Sequence, residues 1–328
     1  MTDTYKHDPF WKEIQAYLPE ENRLTGSVQP EEYLLPVCGC ELHIDHYKPA
    51  SIRGRVILFH GVGGNGRLLS FIAIPLMNSG LEVICPDLPL YGYTRYKGTI
   101  TYADWVACGT QLVRHYQDEA AMPTFLSGLS AGGMLAYQIC CECSQIAGLI
   151  VTCLLDERID TVRKKTARYP LLGMLANPFL SVAGVLAGNI RIPMKWVANM
   201  KAIVNSPQLA ALLMKDRRSS GARVPLAFLY SMLRPVISIE PEVFSSCPVL
   251  LVHPGEDRWT DVSLSKLFFE RLGCEKKTVI LDGAGHFPIE YRGLKKLEAS
   301  CLAFIEQRLQ SDEQGCNHQH SRDHKQVG

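Results

Sequence analysis

The sequence predicts an α/β fold: a mostly parallel central sheet with helices on both faces and a helical insertion late in the chain. Three observations carry this. From Val56 onward, short apolar runs (VILFH, EVICPD, PTFLSGLS, AGLIVTCLL) alternate with longer helix-like segments. The runs are continuously apolar rather than alternating, as strands buried on both faces are. The same rhythm returns near the end, with CPVLLVHP and KKTVILDG.

Composition agrees with one large globular domain. The chain has 328 residues, 47% hydrophobic and 20% charged, enough to bury a sizeable core. A net charge of +1 supplies no field that would steer the chain to nucleic acid. Residues 1–15 show no basic region followed by an apolar one, so no signal peptide and a cytoplasmic location are expected. Most of the 12 cysteines lie in apolar runs, where a reduced thiol packs as a small hydrophobe. Cys38-x-Cys40 and Cys140-Cys141-x-Cys143 have no second pair at zinc-site spacing. Neither a metal nor a cofactor is expected.

Residues 1–32 read as an N-terminal helical appendage. Asp8-Pro9 caps and starts a helix, and Phe10, Ile14 and Leu18 form one apolar stripe. Residues 33–155 form the first part of the core. It opens with two short strands near YLLPV and ELHIDHY, the second alternating as a half-exposed antiparallel strand would. Helices are expected over RLLSFIAIPLMNSG, from Tyr102 to Tyr116, and from the AGG turn through Cys143. Residues 156–243 have a different texture, with prolines, scattered basic residues and many Leu, Met and Ala. They read as an inserted helical cap. Within it, residues 169–190 carry no charge, which raises a membrane span. Asn177-Pro178 and several glycines break that run, so a buried or membrane-touching hairpin is expected instead. Residues 244–309 complete the core, with helices near 261–272 and 293–309. Residues 310–328 are polar and read as a disordered, solvated tail, its histidines and Cys316 included.

The chemistry centres on Gly128-Leu129-Ser130-Ala131-Gly132. A strand precedes this knot of small residues and a helix follows it. Ser130 therefore falls on a sharp strand-to-helix turn, where a hydroxyl is exposed at the carboxyl end of the sheet. A serine is a poor nucleophile at neutral pH and needs a base, itself held by an acid. On such a turn the chain order is serine, acid, histidine. That order sets aside His7, His43, His46, His60 and His115, while His253 precedes the best acid. His318, His320 and His324 lie in the polar tail. His286, in LDGAGHFP just after a strand, remains as the base. Asp257, in HPGEDRWTD, stands on a loop after a strand and is the preferred acid. Asp156 is its rival, and Glu256 is expected to point elsewhere. The backbone N–H groups of Val62, in HGVGG, and of Ala131 are the candidate oxyanion donors.

Taken together, the HGVG block at 60–63, CPDLPLYGYT, GLSAG at 128–132, GED at 255–257 and GAGH at 283–286 resemble the α/β-hydrolase fold family, over about residues 35–309. The general look is similar to monoacylglycerol lipases and lysophospholipase-like serine hydrolases. The stretch LYGYT departs from the Gly-His-Gly pattern of many relatives, which leaves the subfamily open. The resemblance implies a Ser130–Asp257–His286 triad, Val62 and Ala131 as oxyanion donors, and a cap over the site. The expected activity is hydrolysis of a carboxylic ester with an apolar acyl chain. The expected partner is a small ester or lipid-like molecule, with peripheral membrane contact through the cap. Thioesterase, peptidase or amidase, and acyltransferase chemistry stay open on the same triad, as does a non-catalytic binder.

Overall fold

A computed structural model describes residues 4–168 and 187–323, with side chains through residue 311. The strands, in chain order, are β1 (Glu31–Val37), β2 (Cys40–Tyr47), β3 (Gly54–Phe59), β4 (Leu81–Pro86), β5 (Thr124–Gly128), β6 (Ile146–Val151), β7 (Arg191–Pro193), β8 (Arg223–Pro225), β9 (Val249–Pro254) and β10 (Lys276–Leu281). Eight of them form one sheet in the order β1-β2-β4-β3-β5-β6-β9-β10, and β7 and β8 form a small antiparallel pair. From β4 to β10 all neighbours are parallel, while β2 runs antiparallel to both β1 and β4. β3 to β6 and β9 are almost wholly buried, as their largely apolar runs require, with Arg55 of β3 and Glu82 of β4 buried as a pair.

The helices of the core are α1 (Pro9–Ile14), α2 (Ser70–Asn78), α3 (Tyr102–Glu119) and α4 (Ala131–Glu142). The segment between β6 and β9 contributes α5 (Asp160–Thr166), α6 (Met194–Val197), α7 (Pro207–Lys215) and α8 (Leu226–Met232). α9 (Val262–Phe269) and α10 (Tyr291–Asp323) complete the chain. α2 packs with α10, and α3 with α4, as the two layers over the sheet. α3 starts where Thr101 and Asp104 satisfy each other's backbone N–H groups, a capping box. The backbone of α10 stays helical to Asp323, beyond Gln310 where the sequence reading begins an unstructured tail. The uncharged run at 169–190 lies outside the described residues, apart from 187–190. Among the described residues, no helix is long and apolar enough to cross a membrane.

The N-terminal segment packs on the core through Tyr5, Trp11, Ile14 and Leu18, all buried. Trp11 joins the Ile14–Leu18 stripe, and Phe10 is only partly covered. The helix itself ends at Ile14, and a 3-10 turn carries the chain on to Leu18.

β2 corrects the sequence reading. Every residue of it except Glu41 is buried, so it is not half-exposed. It lies between β1 and β4, and its polar side chains are paired inside the protein. The Arg67 guanidinium binds Asp45 at 2.9 Å and Glu32 at 3.0 Å. His43 Nε2 lies 3.1 Å from Glu32, and its Nδ1 lies 3.2 Å from Asp87. Tyr5 donates its hydroxyl to Asp87 at 2.9 Å and its backbone N–H to Glu32 at 2.8 Å. On the other side, His46 and Arg55 share Glu82 at 2.8 and 2.6 Å. Buried charges persist only when paired and hydrogen-bonded, and here each carboxylate has at least one cationic neighbour. Burial pushes His43 down, but Asp87 and Glu32 outweigh it and raise it to about 10.

The sign of that shift makes a prediction. A histidine raised from 6.5 to about 10 on folding stabilises the fold fully below pH 6.5, and this is lost as pH rises through 10. The stability difference between wild type and His43→Gln, measured by urea unfolding, should therefore narrow steadily from pH 6.5 to pH 10. A constant gap would mean that His43 is not charged in the fold.

Candidate active site

The site forms where the strand order reverses. β3 pairs with β4 on one side and β5 on the other, and the crevice at such a point lies beyond the carboxyl ends of the strands. Phe59, the last residue of β3, is in register with Gly128, the last of β5. The chains leaving these strands therefore emerge side by side, and Leu129 donates its N–H to the Phe59 carbonyl at 3.0 Å. This places the HGVGG loop against the Ser130 turn.

Ser130 sits on that turn at φ 54° and ψ −127°, a left-handed conformation that costs a non-glycine residue roughly 1–3 kcal/mol. Its backbone N–H is held by Thr152 Oγ1 at 3.0 Å, just past the end of β6. The flanking glycines allow the tight approach. A Cβ on Gly128 would lie 2.0 Å from the Gly132 carbonyl oxygen, and one on Gly132 would lie 2.3 Å from that of Phe59. No rotamer change relieves a clash with backbone.

The three candidate residues meet. Ser130 Oγ is 2.8 Å from His286 Nε2, and His286 Nδ1 is 2.7 Å from Asp257 Oδ2. Loops after β9 and β10 carry the acid and the base, and they support each other. Glu256 donates its N–H to the Ala284 carbonyl at 2.9 Å, and Gly255 to Leu281 at 2.8 Å. Asp257 is 1% exposed at its side chain. Burial raises its carboxyl, but hydrogen bonds from His286 and from the Thr260 and Trp259 N–H groups outweigh this and hold it below the usual range. It is therefore ionised at neutral pH and suited to orient an imidazole. Asp156, the rival acid, is occupied elsewhere: it chelates Arg158, which also binds Glu240. Glu256 is exposed.

Val62 and Ala131 line the same cavity as Ser130. Among the described residues, neither backbone N–H has an acceptor within the protein, as Ala131 opens α4 where the first amides are unsatisfied. His60 shapes this loop. Its Nε2 accepts the Leu88 N–H at 2.9 Å, so its Nδ1 carries the proton and donates to the Gly61 carbonyl at 2.8 Å. Burial pushes His60 down to about 4, so it is neutral and structural.

Sequence reasoning missed several residues. Thr260 donates to Asp257 Oδ2 at 2.8 Å and lies 3.3 Å from His286 Nδ1. His253, buried, lies between the Thr152 and Thr260 carbonyls at 3.0 and 3.1 Å, and so joins the segment beside the Ser130 turn to the Asp257 loop. Trp259 lies against His286, with ring centroids 4.8 Å apart. A lone polar residue in the apolar run LIVTCLL, and the tryptophan and threonine that follow Arg258 in GEDRWT, were the available signals. Glu157, beside Arg163 in the cavity wall, was also missed; burial pushes its carboxyl up to about 7.

The cavity over Ser130 has a volume of about 640 Å³. Its walls are mostly aliphatic and come largely from the inserted segment, including Ile192, Met194, Leu226, Leu229 and Met232. Among the described residues, two clusters have ligating side chains close enough together for a metal ion: Cys153–Asp257–His286 and Glu32–His43–Asp45. In the first, a 2.7 Å hydrogen bond between Asp257 and His286 leaves no room for an ion. In the second, the Arg67 guanidinium is already the cation.

A mostly parallel sheet bearing a serine on a strained strand-to-helix turn, with a histidine and a carboxylate on later strand ends, defines an α/β hydrolase. The family model "Serine aminopeptidase, S33" matches residues 50–289, and the chain belongs to that family of hydrolases. Solved structures of the same fold include a soluble variant of monoglyceride lipase from Saccharomyces cerevisiae in complex with a substrate analog. It is 17% identical, has a TM-score of 0.70, and the match covers 87% of this chain and 98% of that one. The monoacylglycerol lipase of Paleococcus ferrophilus is 19% identical with a TM-score of 0.60, over 82% and 99% of the two chains. A carboxyl esterase from Bacillus coagulans is 16% identical with a TM-score of 0.60, over 86% and 100%. No curated protein sequence matches significantly.

The packing at the turn makes a direct prediction. Gly132→Ala forces a Cβ to within 2.3 Å of the Phe59 carbonyl and should cost roughly 1–3 kcal/mol in urea unfolding. An unchanged midpoint would show that the turn is looser than this.

Proposed function

We infer that this protein is a serine hydrolase that cleaves carboxylic esters bearing an apolar acyl chain. The observation that carries the reading is the continuous Ser130–His286–Asp257 hydrogen-bonded chain at the foot of a largely aliphatic cavity. Asp257 holds the Nδ1–H of His286, which leaves Nε2 free to accept the Ser130 proton. Ser130 Oγ then attacks the ester carbonyl. The developing oxyanion takes hydrogen bonds from the Val62 and Ala131 N–H groups, which are otherwise unsatisfied. His286 gives the proton to the leaving alcohol, and the acid remains as an acyl-enzyme on Ser130. Water then loses a proton to His286 and releases the acid, restoring the serine. The cavity wall supplies apolar cover for the acyl chain and excludes water from the oxyanion.

The inserted segment, residues 156–243, acts as the cap in this reading. Trp196 in that segment lines the cavity and is 58% exposed, which supports peripheral contact with a lipid surface during substrate capture. Liposome co-sedimentation that is unchanged by Trp196→Glu would count against such contact.

A second reading has one observation in its favour. Glu157 places a carboxyl in the cavity wall, and a peptide amine would pair with it. Against it stand the neighbouring Arg163 cation and the aliphatic remainder of the wall. Matched octanoyl esters, thioesters and anilides, together with amino-acid anilides, separate ester, thioester and aminopeptidase activity.

Two outcomes are expected. A fluorophosphonate probe should label wild type but not Ser130→Ala, and p-nitrophenyl esters should be cleaved faster as the acyl chain lengthens from acetate to octanoate. Equal labelling of both proteins would leave a binder that kept the fold. Asp257→Asn should lower kcat by roughly 10³- to 10⁴-fold, the scale of losing the triad acid elsewhere. Asp156→Asn should change kcat by less than about threefold, since Asp156 serves Arg158. The reverse ranking would exchange the two acids.

A further inference from the structure

We propose that Trp259 is a positioning residue that couples the inserted segment, and hence the occupancy of the cavity, to the Asp257–His286 pair. The proposal rests on the esterase reading above. It starts from how many partners this one side chain joins. The backbone N–H of Trp259 donates to Asp257 Oδ1 at 2.7 Å, which fixes the residue to the acid. Its ring lies against the imidazole of His286, with centroids 4.8 Å apart and planes at 44°. Its indole Nε1–H donates to the Thr166 carbonyl at 3.0 Å, at the end of α5 in the inserted segment. The ring also lines the cavity.

Each link has a physical consequence. An indole has one donor and no acceptor, so the Thr166 carbonyl is the sole anchor of its outer edge among the described residues. That carbonyl belongs to the last turn of α5, whose carbonyls lack intrahelical partners. A shift of α5 by about 1 Å takes this bond beyond hydrogen-bonding range. The ring is then free to turn away from His286. The imidazole loses the packing that keeps Nδ1 on Asp257 and Nε2 on Ser130. Thr166 also holds Glu157, donating its hydroxyl to that carboxylate at 3.2 Å, so the same helix end reaches the cavity wall. An acyl chain filling the cavity presses on α5 and on the indole together. Long chains seat the helix and order the histidine. Short chains leave the cavity empty and gain nothing.

The test is Trp259→Phe, which keeps a ring beside His286 and the backbone N–H to Asp257 but removes the donor to Thr166. With p-nitrophenyl acetate and octanoate as substrates, the expected result is a fall of about fivefold in the ratio kcat(octanoate)/kcat(acetate). KM should change less than twofold, and kcat on acetate should fall less than kcat on octanoate. A general structural defect would lower both esters alike, and an equal fall on both, or no change in the ratio, overturns the proposal. A binding measurement keeps it falsifiable should the variant be too unstable to assay. In a Trp196→Phe background, chosen because Trp196 also lines the cavity, titration with decan-1-ol should shift the tryptophan emission. Unchanged emission at saturation overturns the coupling. Fluorophosphonate labelling of the same proteins reports on the nucleophile separately. Loss of labelling in wild type would sink the esterase reading, whereas intact labelling with an unchanged chain-length ratio would sink the coupling alone.

Discussion

The close approach of two backbones at the carboxyl edge of the sheet is the constraint on which the rest of this site depends. β3 and β5 are hydrogen-bonded to their last residues, and the Leu129 N–H continues the ladder to Phe59. The helix after Ser130 begins so near β3 that no side chain fits at Gly132. That geometry lifts Ser130 into a left-handed conformation, exposes the Ala131 N–H at the start of α4, and brings Val62 alongside. The candidate nucleophile and the candidate oxyanion donors thus come from a single packing event. The strain at Ser130 is held because Thr152 binds its amide from the neighbouring strand end.

A second framework holds the loop that supplies Val62. Asp87, at the end of β4, accepts the Gly66 N–H at 2.7 Å and the Tyr93 N–H at 2.8 Å, and faces His43 and Tyr5. Leu88, the next residue, binds His60. The buried charges around β2 therefore brace the N-terminal segment, the β4 loop and the HGVGG loop against one another. Arg218, from the inserted segment, lies over the Tyr93 ring at 4.3 Å, and Ser220 donates to the Gly63 carbonyl at 2.9 Å. This half of the insertion is clamped to the core. α5 meets the loop bearing Asp257 through Trp259, and both line the cavity.

Much of the site was legible because its logic is local. A serine between glycines, at the junction of an apolar run and a helix, marks a backbone turn whatever lies elsewhere. An acid and a histidine following later strands fit one chain order. The sequence preferred Asp257 to Asp156 on loop position alone. Both follow strands, and the choice depends on Arg158, which occupies Asp156, and on Thr260 and Trp259, which bind Asp257. Such partners sit on the same loops as the acids, but nothing in their spacing says which way each carboxylate turns.

The misread strand makes the same point. In ELHIDHY, alternation of apolar and polar residues signals a solvated face, because isolated charge is costly to bury. Only the fold reveals that the charges are not isolated: Glu32, Glu82, Asp87 and Arg67 come from other segments to meet them, and Arg55 pairs with Glu82 behind them. The sequence by itself determined the layered sheet, the strained turn at Ser130 and the order of the candidate triad, since these follow from periodicity, glycine sterics and chain direction. Tertiary structure decided which acid faces the histidine, which histidines are buried and paired, and what lines the cavity over Ser130. Those depend on residues far apart in the chain, and pairing energies between such residues leave no local pattern to read.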